Sequence, residues 1–238
     1  MNTYKKTAIT VGVLFIVATV AGVLSALVLL QPVLTAPDYL VKFSENENKV
    51  ILGVILDLIG AGAFVGIAVV IFPVLKKFNE TIALGYVVAR SFEAVPFIIG
   101  NTFLLALLAL GQQYVQAGTP DASYFQTLGT ALLAAYDWTQ LLGPRVLASL
   151  AAVPFFTLLF QSKLLPRWIS VWGLLAAIAL LTGALLSVFT SISPTITLLI
   201  ISPIAVQEMV MAGWLIVKGF NPSAITSASV EASVNEVV

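Results

Sequence analysis

Residues 83–110 form an apolar run long enough to cross a bilayer, and its interior carries Arg90, Glu93 and Asn101. On a helix, Arg90 and Glu93 are three apart and share one face. An arginine near the bilayer centre costs about 2.5–3.5 kcal/mol on insertion scales. A chain tolerates that cost only by turning the charged face inward, against partners supplied by other segments. This requirement, more than any local propensity, limits the folds open to the chain.

Composition says what those segments are made of. Of 238 residues, 60% are hydrophobic and 9% charged, with a mean hydropathy of +1.06. A soluble domain carries about 25% charged residues, so this chain has too few to cover a water-facing surface. It reads as an integral membrane protein, with the bilayer as its first partner. Eleven basic and eleven acidic residues cancel, which argues against nucleic acid as a partner. A small-molecule or lipid ligand stays open as a further partner, and composition does not address the oligomeric state. Histidine and cysteine are both absent. Their absence removes the usual haem and zinc ligands, the thiolate nucleophile and the usual proton shuttle near neutral pH. Neither a cofactor nor a metal is expected.

Hydropathy divides the chain into six expected spans, at about 7–30, 50–75, 82–111, 140–160, 168–189 and 195–217. A secretory signal has an apolar region of only about 7–15 residues, so the first run is read as an uncleaved span. The stretch 121–161 admits two readings: two short spans broken at Gly143-Pro144, or one interfacial helix followed by one span. Two spans would move Lys163 and Arg167 to the face opposite Lys76 and Lys77, against the positive-inside tendency. The reading adopted is therefore a helix over 121–141 near the outer interface, where Tyr124, Phe125, Tyr136 and Trp138 suit the headgroup level. A fourth span bent at Pro144 follows it. On this model Lys5, Lys6, Lys76, Lys77, Lys163, Arg167 and Lys218 share one face, against Lys42 and Lys49 on the other. Both termini are then cytoplasmic. The expected fold is all-α: a polytopic six-transmembrane-helix bundle over 1–219 with an extra outer interfacial helix. A tail at 220–238, rich in Ser, Ala and Val, is expected to be a disordered cytoplasmic segment.

Five ionisable residues fall inside the spans: Asp57, Arg90, Glu93, Arg145 and Glu208. At about 1.5 Å of rise per residue they sort by depth. Asp57 and Arg145 lie in the outer half and form a candidate ion pair. Arg90, Glu93 and Glu208 lie near the middle and form a candidate ligand or proton site, to which Asn101 is added as a polar neighbour. Three acids face two arginines, so pairing leaves one carboxylate over. Glu93 and Glu208 are the candidates for that proton-carrying group. The alternative is that all these charges are interhelical glue, because buried pairs also serve structure alone. Gly53, Gly60 and Ala61 beside Asp57, and the Gly62/Gly66 pair, mark surfaces where helix backbones approach closely. No lysine lies within a span, which excludes a retinal Schiff base. The sequence contains no P-loop, dinucleotide fingerprint or nucleophile elbow.

An ordered set of features carries a family resemblance. It consists of Asp57 in the second span, LKKFNE at 75–80, R-x-x-E at Arg90 and Glu93, LLPRWIS at 164–170, and E-x-x-x-x-x-W-L-I-x-K-G-F from Glu208 to Phe220. Together they resemble the bacterial multi-pass membrane family termed domain of unknown function 4386. The resemblance implies a six-span protein of the bacterial inner membrane, with no catalytic residues attached. Three functions follow as expectations. The first is binding or transport of a small molecule, lipid or proton through the buried site. The second is a sensor or accessory subunit whose ion pairs are structural. The last is an intramembrane enzyme, disfavoured because only carboxylate chemistry is left to it.

Overall fold

The computed structural model describes residues 3–117, 122–190 and 192–227. Six helices are long and apolar enough to span a membrane: α1 (Thr3–Leu34), α3 (Glu47–Leu75), α4 (Glu80–Ala117), α5 (Ser123–Ser162), α6 (Arg167–Phe189) and α7 (Thr195–Val217). The short α2 (Tyr39–Glu45) lies between α1 and α3. The described residues contain no strand. The chain is thus an all-α, multi-pass membrane protein. A bilayer interior offers no water to unpaired backbone groups, so helices satisfying their own N–H and C=O are what such a composition can build.

The spans close into a ring. The first, α1, packs on both α3 and α7; α3 packs on α4, α4 on α5, α5 on α6 and α6 on α7. Small residues permit the tight crossings. A Cβ on Gly12 of α1 would stand 2.8 Å from the Ala212 carbonyl oxygen of α7, and one on Gly60 of α3 would stand 3.5 Å from the Ala18 carbonyl oxygen. Gly66 meets Leu14, but Gly62 has nothing nearby and faces outward. The expected Gly62/Gly66 seam is therefore half a seam, with Gly66 alone of the two meeting α1.

Two cores stack along the bundle. One, toward the end holding both termini of the ring, contains Phe15, Ile67, Tyr86, Phe155, Phe156 and Met211. The other contains Leu30, Phe43, Val50, Val54, Leu104 and Phe125. Along α4 the order is Tyr86, then Arg90 and Glu93, then Leu104, so the buried charges sit between two apolar clusters.

Several expected boundaries move. The first span reaches Leu34, past Pro32, because a π-helical turn at Leu24–Leu30 precedes the proline. There the Gln31 N–H reaches back five residues to the Ala26 carbonyl, and the helix continues through a residue that ordinarily stops one. The loop expected after it contains α2, whose Leu40 and Phe43 are buried against α4. The helix expected over 121–141 is present from Ala122, while Asp121 lies outside the described residues. No loop separates it from the fourth span. A second π turn, Leu142–Leu147, absorbs Gly143-Pro144 and joins the two into one rod. At about 1.5 Å per residue this rod is about 60 Å long, and a hydrocarbon core is about 30 Å thick. This rod, with its N-terminal portion, and α4, with its C-terminal part, are therefore longer than a hydrocarbon core requires. Within that portion Phe125 and Tyr136 turn inward, while Tyr124 and Trp138 stay exposed.

The expected disordered tail is corrected at its start. Residues 222–227 are helical, and Phe220, Ala224 and Ile225 are buried. The Asn221 backbone N–H donates to the Leu164 carbonyl at 2.9 Å and its side-chain Nδ2 to the Lys163 carbonyl at 3.2 Å. Apolar residues spaced to dock, together with one asparagine, outweigh the low-complexity composition. Residues 228–238 lie outside the described residues.

The α1–α7 crossing is directly testable. Gly12→Ala forces its methyl against a backbone oxygen that cannot rotate away, and overpacking of this kind costs about 1–3 kcal/mol. Gly62→Ala meets open space. Thermal unfolding in detergent is expected to show a lowered midpoint for the first variant and an unchanged one for the second.

Candidate functional site

Helix α4 presents Tyr86, Arg90 and Glu93 on its inward face, at spacings of four and three. Arg90 Nη1 donates to Glu93 Oε2 at 2.8 Å, and both side chains are 4% exposed. Its Nε donates to the Tyr86 hydroxyl at 3.3 Å. The guanidinium also lies 4.7 Å from the Phe64 ring centroid and 5.5 Å from that of Tyr86. A desolvated cation over an aromatic face gains about 2 kcal/mol, so these rings supply part of what water would have supplied. Tyr86 is held in turn by stacking on Phe155 of α5, with centroids 4.4 Å apart.

Glu208 of α7 is buried and accepts a hydrogen bond from the Thr19 hydroxyl of α1 at 3.3 Å. It stands within electrostatic reach of Tyr86, Arg90 and Glu93 but forms no ion pair with Arg90. One residue before it, Gln207 donates to the Ile169 carbonyl of α6 at 3.1 Å, which ties α7 to α6. The centre thus draws on α1, α3, α4, α5 and α7: Thr19, Phe64, the three α4 residues, Phe155 and Glu208. Sequence reasoning brought together Arg90, Glu93 and Glu208. It missed Thr19, Phe64, Tyr86 and Phe155. Tyr86 was discoverable, four residues before Arg90 on the same helix face. The other three belong to different helices, and nothing in their local sequence marks them.

Asn101 does not join this centre. It lies eleven residues beyond Arg90, about 16 Å farther along α4. It is buried with neither amide atom partnered among the described residues.

The expected outer pair between Asp57 and Arg145 is not formed. Asp57 faces Ser25 of α1, whose hydroxyl donates to the Gly53 carbonyl at 2.9 Å, and it lies within reach of Tyr136. Arg145 instead feels Asp137, two turns earlier on its own helix. It borders a gap of about 10 Å³ with Ser187 of α6 and Thr197 of α7, about the least space that holds one water. Equal depth was not enough, because the two residues project from the ring toward different neighbours. Among the described residues no three acids gather closely enough to hold a metal ion.

The model of one family, described as domain of unknown function (DUF4386), matches residues 10–219. The chain belongs to that family. No curated protein and no solved structure matches it. The match takes in every residue of the centre, from Thr19 to Glu208, so the DUF4386 region and the closed ring of spans are the same object.

The Arg90–Glu93 pair makes a two-sided prediction. Arg90→Met leaves a carboxylate buried without its cation, which costs about 3–5 kcal/mol. Arg90→Met combined with Glu93→Leu replaces the pair by apolar groups and is expected to recover most of that loss. Unfolding equilibria of the purified variants in mixed micelles measure both, and equal losses for single and double variants would contradict the pairing.

Proposed function

We propose that this membrane protein binds a proton or a small cationic ligand at the Arg90–Glu93–Glu208 centre, as the coupling element of transport or sensing. One observation carries the reading: two buried carboxylates lie near one buried guanidinium, which is bonded to Glu93 and not to Glu208. With both carboxylates ionised the centre is one positive charge short, and in a low-dielectric interior an uncompensated charge is costly. A proton or a cation balances it. Glu208 is where the balance is struck, because Arg90 is already committed to Glu93 and, among the described residues, Glu208 accepts its hydrogen bond from the Thr19 hydroxyl. The four groups that titrate or carry charge there are Tyr86, Arg90, Glu93 and Glu208.

The accompanying orientation puts both termini in the cytoplasm of a bacterium, with the ring in its inner membrane. The distribution of lysine and arginine supports this, since Lys5, Lys76, Lys77, Lys163, Arg167 and Lys218 gather at one end of the bundle. A second reading, a sensor or accessory subunit with purely structural charges, is favoured by the enclosure of the Arg90 guanidinium between Phe64 and Tyr86.

Proton flux separates the two. Purified protein is reconstituted into liposomes containing a pH-sensitive dye, and a membrane potential is imposed. The wild type is expected to acidify or alkalinise the lumen faster than empty liposomes, and Glu208→Gln is expected to fall to the empty-liposome rate. pH-difference infrared spectra should show a carboxylic-acid band that the same variant removes. If wild-type flux equals background and Glu208→Gln only raises the unfolding midpoint, the structural reading replaces this one.

A further inference from the structure

The cationic end of the bundle contains a recess that the buried centre does not use. It measures about 590 Å³, and its rim carries Lys163, Arg167 and Lys218, with Trp214 and Phe220 forming apolar wall. Its lining includes no acidic residue. Among the described residues none of the three cations has an ion-pair partner. Arg167 lies over the Phe160 ring, 5.0 Å from its centroid.

The walls are built features. Lys163 ends α5 in the left-handed region with φ 56°, and Leu164 and Leu165 then plug into the core before Pro166 opens α6. On the other side Gly219, at φ +79°, turns the chain out of α7. Asn221 then clamps the two sides together through the Lys163 and Leu164 carbonyls. A second recess of about 340 Å³ shares Lys218, Gly219, Phe220 and Pro222 with the first. Lys5 in that neighbour is already engaged, donating to the Ile216 and Val217 carbonyls at the end of α7. The level is marked as well: Trp168 and Trp214 meet edge to face with centroids 6.4 Å apart, and tryptophan gathers where acyl chains meet headgroups.

We propose that this recess binds the phosphate-bearing headgroup of an anionic phospholipid. Three unpaired cations supply the charge, at the headgroup level of a membrane protein. Basic pockets between spans are where acidic headgroups are held, and the apolar wall of Trp214 and Phe220 accommodates the glycerol and first methylenes. The volume falls within the range of small-ligand sites, about 300–1,000 Å³. This inference is independent of the proton reading of the Arg90 centre.

The test uses the full chain purified in a mild non-ionic detergent, with phosphatidylglycerol or phosphatidylcholine added and retention read by native mass spectrometry. The wild type is expected to retain phosphatidylglycerol in preference to phosphatidylcholine. Arg167→Gln with Lys218→Gln should weaken that retention about tenfold or more. Lys76→Gln with Lys77→Gln removes the same charge from the same end outside the recess and should leave retention within about twofold. Arg167→Lys with Lys218→Arg keeps the charge and should restore retention, which guards against a folding defect in the glutamine pair. Millimolar inorganic phosphate is expected not to displace the lipid. Displacement, with phosphate itself bound by wild type and lost in the glutamine pair, would assign the recess to a soluble phosphate compound and overturn the lipid assignment. Equal retention by wild type and the Arg167/Lys218 pair, or equal loss in both glutamine pairs, would overturn the site.

Discussion

Everything in this bundle is arranged around a guanidinium buried away from the surface. Arg90 can sit inside an apolar ring because Glu93, one turn away, accepts its hydrogen bond at 2.8 Å and the Phe64 and Tyr86 rings lie against its guanidinium. The ring of spans is what makes that enclosure possible. With α7 packed back on α1, the inward face of every span looks at another span and not at lipid. An open sheet of helices would have left Arg90 or Glu208 against acyl chains, at a cost the composition could not offset.

The packing and the electrostatics solve the same problem at different depths. On either side of the charged centre, Leu104 with Val54 and Ile67 with Ile71 belong to two apolar clusters. Glycines at the crossings bring the backbones near enough for side chains as short as Thr19 and Glu208 to meet across α1 and α7. At the end of the bundle the situation reverses. Among the described residues, no acid lines the recess that Lys163, Arg167 and Lys218 share. Membership of DUF4386 joins these two regions in one unit, since the family match runs from within α1 to the turn after α7.

Much of this was legible in the sequence, and the gaps have physical causes. Six apolar segments, the inward face of α4 and the level of Glu208 follow from length, the 3.6-residue period and rise per residue. Two expected boundaries move at π turns. The first span is expected to end near residue 30 and the helix over 121–141 to be separate from a fourth span bent at Pro144. Yet π turns just before Pro32 and around Pro144 let α1 and α5 continue. The Asp57–Arg145 pairing failed for a related reason: depth along a helix is a one-dimensional coordinate, and the angle around the ring is not written in it. The tail misled by composition, because Asn221 and three apolar residues were enough to dock 220–227 against the α5–α6 turn.

By itself, then, the sequence determined the membrane class, the number of long apolar segments and the identity of the charges that had to be hidden. Hydrophobic transfer energies and helix geometry act on each segment independently, so those features can be read one segment at a time. Only the tertiary structure decided which acid meets which base, which aromatics lie against Arg90, and where Lys163, Arg167 and Lys218 converge. Those outcomes depend on the rotation of each helix about its own axis, and that rotation is set jointly by neighbours such as Gly12 against Ala212, distant in the chain and adjacent only after folding.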